Sequence, residues 1–457
     1  MKRWLGIAFI LVITLLLALL VGGYVYMLPT FKVATGYTAK VICSNHYITG
    51  QSIDVAMAEL PDNPLVPFLR VKLDDEKKEL SATLWGWAAK QKAIYRPGLG
   101  CTLLAGEGPF ETRSPHFPPP APPNPNLPWP VGEAVDLTPN PALEAVLDAW
   151  FAEPDPAHPQ RRTRAILIVK DGQIIAERYA DGYDRRTRFL GWSMTKSVTH
   201  ALLGVLVREG LLDIHQPAPV PEWASPDDPR HAITTDQLIR MSSGLEFVED
   251  YSDLSVGVTQ MLYNTSDMAA YAANMPLAAP LDTVWNYSSG TANILSRIIR
   301  DLVGGDVTDY WQFPRRALFD PINMTSAVIE PDASGTFVGS SYMYATARDW
   351  ARFGLLYLQD GVWNGQRILP EGWVDYARTP TPPSQGEYGA LWWLNRGSGE
   401  HKEWEGAPED AYAAEGHDGQ YVVVIPSRNM VIVRLGVSRG GAWDEAAFLR
   451  DVLAAVD

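Results

Sequence analysis

Serine and lysine stand three residues apart in Ser193-Met194-Thr195-Lys196, at the start of an expected helix. Side chains at that spacing lie on one helical face, so the lysine can reach the serine hydroxyl. N–H groups at a helix N-terminus can stabilise an oxyanion, and a desolvated lysine can act as a base. Because Ser-x-x-Lys arises about once by chance in a chain this long, the segment alone is better explained as a helix cap beside a solvated lysine.

Two later segments contain further side chains of the kinds that hydrolases use. Trp285-Asn286-Tyr287-Ser288-Ser289-Gly290 offers a tyrosine, and a buried phenol beside a lysine can pass the serine proton to a leaving group. Gly416-His417-Asp418-Gly419-Gln420 precedes a strongly β run, where glycines let an edge backbone approach a ligand closely. The N–H of Gln420, directly after Gly419, could be a second oxyanion donor. Taken singly, Tyr287 is at least as well explained as an ordinary loop tyrosine and His417 as a turn histidine.

The order of the three segments resembles that of a known enzyme family. Residues from about 140 to 457 are similar to the class C β-lactamase and D,D-peptidase superfamily, and in particular to its esterase and 6-aminohexanoate-dimer hydrolase branch. That superfamily has Ser-x-x-Lys at a helix start, Tyr-x-Asn in an all-helical part and Lys-Thr-Gly on the last edge strand. Further stretches that carry the resemblance are residues 238–247, residues 344–354, and Tyr388-Gly389 with Trp392-Trp393.

The resemblance implies an α+β fold of the β-lactamase/transpeptidase type, with an antiparallel sheet, flanking helices and an all-helical subdomain. It implies that Ser193 is the nucleophile, that Lys196 and Tyr287 take its proton, and that N–H groups of Ser193 and Gln420 form the oxyanion hole. Water then resolves an acyl-enzyme on Ser193, with no metal or other cofactor. Which of Lys196 and Tyr287 is the resting base stays open, because coupled groups titrate as a pair.

Two departures from the family pattern bear on the substrate. Ser289 stands where the family has asparagine, and His417-Asp418-Gly419 stands where it has Lys-Thr-Gly. In β-lactamases that lysine helps to hold the substrate carboxylate and the asparagine contacts its amide, so both changes favour a different small-molecule amide or ester. The alternatives are a β-lactamase, a D,D-carboxypeptidase, or an inactive cell-wall-binding protein. Trp192, Trp392 and Trp393 suggest an apolar pocket, although tryptophans are more often core residues.

Two other hydrolytic mechanisms fit the sequence less well. A Ser-His-Asp triad using His417 would place its serine in a Gly-x-Ser-x-Gly elbow, whereas Gly191-Trp192-Ser193-Met194-Thr195 lacks the second glycine. Zinc hydrolysis needs closely spaced ligands, and the eight histidines form no His-Glu-x-x-His motif and no close pair. We therefore expect no metal site.

The pattern of apolar residues predicts elements that would position these segments. Runs at 165–169 and 174–179 flank Lys170-Asp171-Gly172, which is a strong hairpin signal. A second hairpin is predicted from runs at 420–425 and 430–435, and a strand is predicted at 79–85. Helices are predicted at 141–151, from Ser193 to about Leu212, and at 444–456. Strands near both ends with helices between them indicate one antiparallel sheet built from the two ends of the domain.

The N-terminal segment predicts export. Lys2 and Arg3 precede a stretch that has no charge until Lys32, and the part from Trp4 to Val21 is almost wholly aliphatic. A bilayer core about 30 Å thick takes about 20 helical residues. We therefore expect residues 1–31 to be a single-pass anchor in the inner membrane, with the catalytic domain in the periplasm or outside the cell. A cleaved signal peptide is the alternative, with the same consequence for the rest of the chain.

Three units are expected after the anchor: a small unit at 32–113, a Pro-rich linker at 114–139 and the hydrolase domain at 140–457. In an oxidising compartment Cys43 and Cys101 are expected to pair and to staple the first unit, which would stabilise it by about 4 kcal/mol. Two buried free thiols are the alternative. The net charge of -15, with no basic run, argues against nucleic acid as a partner. The sequence does not indicate an oligomeric state.

Overall fold

The computed structural model describes residues 2–397 and 404–456. Its α-helices, in chain order, are α1 (Lys2–Ser44), α2 (Ile53–Ala58), α3 (Pro141–Phe151), α4 (Met194–Arg208), α5 (Thr235–Ile239), α6 (Gly257–Asn264), α7 (Met268–Ala273), α8 (Ser289–Val303), α9 (Val307–Pro314), α10 (Ala347–Leu358), α11 (Trp373–Arg378) and α12 (Glu445–Val456). Its strands are β1 (Leu69–Asp74), β2 (Glu79–Leu84), β3 (Ala88–Arg96), β4 (Gly100–Leu103), β5 (Thr163–Lys170), β6 (Gln173–Tyr179), β7 (Phe189–Leu190), β8 (Val328–Ile329), β9 (Met343–Ala345), β10 (Val362–Trp363), β11 (Gln366–Arg367), β12 (Trp393–Leu394), β13 (Tyr412–Gly416), β14 (Gln420–Ile425) and β15 (Met430–Gly436).

Two distant parts of the chain form one antiparallel sheet in the order β12-β13-β14-β15-β5-β6. The join is between β15 and β5, where Met430 pairs with Lys170 and Leu435 with Ala165. Successive residues of β5 point to opposite faces: Ile166 packs in the cluster that includes α3 and α12, and Leu167 packs in the cluster that includes α4 and α10. The predicted α+β fold and the sheet made from both ends of the domain are confirmed.

Helix α4 lies behind this sheet and packs against α8 and β13. Its residues from Met194 to Leu206 are buried almost without interruption, so it is a core helix with no solvent face along most of its length. The prediction that this helix reaches Leu212 is wrong by one turn. The helix ends at Arg208, because Gly210 takes a left-handed conformation, with φ +71°, that terminates it.

Helix α1 runs without interruption through residue 31, where the sequence predicts the end of an anchor. The described side chains between Trp4 and Val21 are exposed, whereas Val33, Ile42 and Cys43 are buried. The helical stretch Phe9–Thr49 is long and apolar enough to cross a membrane. The second half of α1 packs on β2, β3 and α6, and Cys43 is paired with Cys101 of β4 at a Cα–Cα distance of 6.1 Å. The same helix is therefore part of the folded unit that follows the exposed segment.

A buried ion pair attaches α1 to the segment that precedes β9. The Lys40 ammonium contacts the carboxylate of Glu330, and both side chains are almost completely buried. Ser44 donates a hydrogen bond to the same carboxylate at 2.8 Å, and the Lys40 amine lies 4.1 Å from the centre of the Tyr342 ring. A buried charge is tolerated only when it is paired, so these contacts depend on one another.

The Pro-rich segment at 114–139 has no helix or strand, as expected from its prolines. Its later part is nevertheless fixed to α10. Trp129 is buried, and the Arg352 guanidinium donates hydrogen bonds to the carbonyl oxygens of Pro130 at 2.9 Å and Gly132 at 2.7 Å. Glu133 pairs with both Arg352 and Arg348. This stretch therefore packs against α10.

Replacing Glu330 by alanine should destabilise the whole chain, because it leaves the Lys40 ammonium buried without its partner. Breaking one side of a buried pair costs about 3–5 kcal/mol. Thermal unfolding of the full chain in detergent should show a clearly lowered Tm, and the double variant Lys40→Met/Glu330→Leu should regain most of the loss. Asp74→Ala, which removes the exposed pair with Lys77, is the control and should leave Tm unchanged. An unchanged Tm for Glu330→Ala would contradict this assignment.

Candidate active site

A strained turn presents Ser193 at the N-terminus of α4. Trp192 has a φ of +47°, a conformation that costs a residue with a side chain about 1–3 kcal/mol and is typical of functional sites. Gly191 is required beside it, since a Cβ there would lie 2.4 Å from the Trp350 ring. Ser193 is the N-cap residue of α4 and its side chain makes no capping hydrogen bond, so the hydroxyl is not committed to the N–H groups of the first helical turn. The predicted helix start at this serine is confirmed.

Lys196 brings a buried amine to this serine. Its side chain is 1% exposed, and its Nζ donates hydrogen bonds to Ser193 Oγ at 2.9 Å, Ser289 Oγ at 3.0 Å and the Ser340 carbonyl oxygen at 3.1 Å. Burial lowers the pKa of Lys196 to about 8, against the opposing effect of the Glu249 carboxylate. The amine is therefore neutral in about a tenth of the molecules at pH 7 and in about half of them near pH 8.

Tyr287 lies directly next to this pair. The Lys196 amine is 4.7 Å from the centre of the Tyr287 ring, and the side chain of Ser193 interacts with the phenol. Burial and the Glu249 carboxylate raise the pKa of Tyr287 well above its usual value, although the Ser193 interaction lowers it. The phenol therefore keeps its proton at neutral pH. The structure thus brings Tyr287 to Ser193 and Lys196, although Tyr287 follows Ser193 by 94 residues in the sequence.

Ser289 and Glu249 extend the cluster on the side away from Ser193. Ser289 accepts a hydrogen bond from Lys196 at 3.0 Å and donates one to Glu249. The Ser289 backbone N–H also donates to Glu249 at 2.7 Å. Glu249 was not predicted from the sequence. It lies just beyond the family-like stretch 238–247, and only the tertiary fold brings it to Ser289. An acidic residue at that position has no spacing signal that would have identified it.

Aromatic rings form one wall beside Tyr287. Trp393 lies 5.2 Å and Tyr388 5.8 Å from it between ring centres, and Trp285 contacts both. Trp392, by contrast, is completely buried among core residues. Of the tryptophans considered from sequence, Trp393 therefore belongs to the site and Trp392 to the core.

His417 lies at the opposite side of the cleft. Its ring stacks on Tyr251 at 5.1 Å and meets Trp192 edge-on at 5.8 Å. Its Nε2 is 3.3 Å from Asp418 Oδ1, but that carboxylate also pairs with Arg439. Among the described residues, no hydrogen bond joins His417 to Ser193, so this histidine is not arranged as the base of a triad.

Gln420 and Gly419 belong to the turn between β13 and β14. The Gln420 side chain is buried and donates to the carbonyl oxygens of His417 at 3.1 Å and Gly436 at 2.6 Å, so it holds the turn. Gly419 has a φ of +81°, which its position in the turn requires. The part of this segment nearest to the nucleophile is Gly416, where an added Cβ would lie 2.1 Å from the Gly191 carbonyl oxygen. The backbone at the end of β13 therefore passes directly beside the turn that carries Ser193.

Similar proteins are consistent with this geometry. The 6-aminohexanoate-dimer hydrolase of Paenarthrobacter ureafaciens is 26% identical over 302 residues, which cover 60% of this chain and 72% of that protein. A penicillin-binding protein homologue from Caulobacter crescentus shares the fold with a TM-score of 0.54 and 17% identity, over 70% of this chain and 99% of its own. A family VIII carboxylesterase also shares the fold, with a TM-score of 0.53 and 16% identity, over 71% of this chain and 98% of its own.

The fold and the sequence family assign the larger part of the chain to the same group of proteins. Residues 149–455 match the family described as Beta-lactamase, and this match spans the sheet, α4, α8 and the segments that carry the cluster around Lys196. The resemblance predicted from the three short motifs is thereby confirmed: the chain belongs to the β-lactamase family of hydrolases.

Proposed function

We propose that this protein hydrolyses a small amide or ester through an acyl-enzyme on Ser193. The observation that carries the proposal is the buried Lys196 amine, 2.9 Å from the serine hydroxyl and with its pKa lowered to about 8. A neutral amine at that distance can accept the serine proton directly. The same arrangement has no purpose in an inactive cell-wall-binding protein, since a buried cation without a function is costly to maintain.

Lys196 and Tyr287 have different parts in this mechanism. Lys196 accepts the proton as Ser193 Oγ attacks the carbonyl carbon, and backbone N–H groups of Ser193 and of the turn from Gly416 to Gln420 bind the oxyanion. When the tetrahedral intermediate collapses, Tyr287 gives its phenolic proton to the leaving group and regains a proton from the Lys196 ammonium. In the second half, Lys196 accepts a proton from water, which attacks the acyl carbon, and Ser193 Oγ leaves with that proton.

The substrate is expected to lack the carboxylate that β-lactams carry. His417 is partly exposed and engaged with Asp418, so it is a weak anion partner at the end of β13. Ser289 is committed to Lys196 and Glu249 and is too short to replace an asparagine side chain at a substrate amide. The relatives named as a 6-aminohexanoate-dimer hydrolase and a carboxylesterase support an amide or ester of another kind. β-Lactam hydrolysis is the second candidate, because the family model is that of the β-lactamases.

The catalytic part is proposed to be held at the outer surface of the inner membrane by α1. Support comes from the exposed apolar first half of α1 and from the basic Lys2 and Arg3 before it, which favour the cytoplasmic side. Cleavage at Gly22-Gly23 would divide a helix whose second half is in the protein core, so an uncleaved anchor fits better than a removed signal.

Lys196→Ala should reduce kcat/KM for a short p-nitrophenyl ester by about 10²–10⁴-fold, because general-base catalysis contributes that much. Lys92→Ala, at a partly exposed lysine of β3, is the matched control and should leave the rate unchanged. Steady-state kinetics of the full chain in detergent measure both. Near-normal activity of Lys196→Ala, together with an inactive His417→Ala, would instead indicate a histidine triad.

The rate of acylation should depend on the protonation of Lys196. Below its pKa of about 8 the amine is charged and cannot accept the serine proton, so the rate should rise with pH and level off above that value. Stopped-flow acylation with an activated ester from pH 6 to 10 measures the profile. An inflection near 6.5, the usual pKa of histidine, would be inconsistent with lysine as the base.

Tyr287→Phe should separate leaving-group protonation from nucleophilic attack. A p-nitrophenolate leaving group needs no proton, whereas an alkoxide or amine does, so the variant should lose much more activity towards alkyl esters and amides than towards p-nitrophenyl esters. The expected difference is about 10²-fold or more, as for the loss of a general acid. An equal loss for both kinds of substrate would assign Tyr287 to the attack step.

A further inference from the structure

An apolar cavity of about 370 Å³ lies between α1 and the hydrolase part of the chain. Its walls come from α1, from the segment between α2 and β1, and from the loop before α6. The apolar side chains that line it are Val33, Leu60, Leu65, Val66, Leu69 and Leu254. This volume is in the range of small-molecule sites; among the described residues no lysine or arginine lines it, and Asp62 contributes one carboxylate beside a mainly apolar wall. The cavity therefore suits an uncharged hydrocarbon group.

One end of the cavity adjoins the catalytic cluster. Trp192, which immediately precedes Ser193, forms part of its lining, together with Tyr251 and His417. The Tyr251 hydroxyl donates a hydrogen bond to Glu249 at 3.2 Å, and Glu249 in turn contacts Ser289. A group in the cavity would therefore lie beside Trp192, the residue that precedes Ser193, although Ser193 itself does not line the cavity.

The other end lies close to the level at which α1 leaves the membrane. A hydrocarbon core about 30 Å thick that begins at Trp4 ends about 20 residues later, near Tyr24. Val33, which lines the cavity, is nine residues further along, or about 14 Å at 1.5 Å per residue. Since lipid headgroups add roughly 5–7 Å on each side of the core, the cavity starts just above the headgroup region.

A patch of aromatic rings connects that level to the cavity. We define the aromatic patch as Tyr24, Phe31, Phe68, Trp85 and Trp87, whose rings lie 5.6–6.4 Å from one another along a continuous chain of contacts. Trp87 is 70% exposed and Trp85 44%, although large apolar side chains seldom face water in a group. Tryptophan and tyrosine are enriched where membrane meets water.

The position of the patch fits a membrane interface. Trp87, at the tip between β2 and β3, stacks on Tyr24 of α1 at 6.1 Å, so the tip lies at the calculated edge of the hydrocarbon core. Phe68 stands between Val66 and Leu69 in the sequence, and both of these line the cavity. Phe68 therefore joins the aromatic patch to the chain segment that lines the cavity.

We propose that this cavity binds the hydrocarbon chain of an ester or amide lipid drawn from the outer leaflet, with the aromatic patch inserted in the headgroup region. The inference rests on the proposed serine-hydrolase function and specifies its substrate class. It explains why the cavity is built partly from the anchor helix itself, since that helix fixes the distance between the bilayer and Ser193.

Filling the cavity tests the proposal. Ala34→Trp, on the cavity wall of α1, should lower the ratio of kcat/KM for p-nitrophenyl myristate to kcat/KM for p-nitrophenyl acetate by about tenfold or more, because excluding even two methylenes loses that much. The assay uses the full chain in lipid nanodiscs. Leu254→Trp fills the same cavity from another segment if Ala34→Trp fails to fold. Ala454→Trp, at an exposed position of α12, is the matched control and should leave the ratio unchanged.

Different results with the two esters contradict the lipid-binding proposal and the serine-hydrolase proposal. An unchanged myristate-to-acetate ratio in both filled variants, or wild-type protein that cleaves acetate but not myristate esters, overturns the lipid inference and leaves the serine hydrolase intact. Wild-type protein that cleaves neither ester overturns the proposed function itself. Trp85→Ser/Trp87→Ser should lower the myristate rate in nanodiscs and not in detergent micelles. Equal loss in both media would also contradict insertion of the aromatic patch.

Discussion

Burial of the Lys196 amine is the constraint around which the catalytic part of this protein is organised. An ammonium removed from water is destabilised relative to the neutral amine, and here that effect exceeds the opposing attraction of Glu249. The charged form is still tolerated because three oxygen atoms can accept its hydrogen bonds. These acceptors come from the start of α4, the start of α8 and the segment before β9, so the position of Lys196 depends on the packing of all three.

The sheet provides the rigid frame for that packing. Joining β15 to β5 brings the C-terminal strands beside the N-terminal hairpin, and β13 then lies against α4 near Gly191. The strained conformation at Trp192 persists because Gly191 is confined by Trp350 and the chain beyond Ser193 enters a buried helix. Around this frame, the Lys40–Glu330 ion pair ties α1 to the segment before β9, and the disulfide ties α1 to β4. Helix α1 and the cluster around Lys196 are consequently parts of one folded body.

Much of the fold and the centre of the site were predictable because they depend on local patterns. The hairpin at Asp171-Gly172 follows from its turn residues, and the contact between Ser193 and Lys196 follows from helical spacing. Tyr287 and Ser289 could be assigned only through the family resemblance, since no local rule relates them to α4. Glu249, Tyr251 and the cavity depend on tertiary contacts between distant segments. The continuation of α1 into the core was missed because an apolar pattern does not distinguish lipid from protein surroundings.

Covalent mapping of the nucleophile tests the central claim most directly. The full chain in detergent is treated with a fluorophosphonate, digested, and examined by mass spectrometry to locate the adduct. The account predicts one adduct per chain, on the peptide that contains Ser193, and no adduct after that serine is replaced by alanine. An adduct on another serine, such as Ser289, or no labelling at all, would contradict the assignment of Ser193 as the nucleophile.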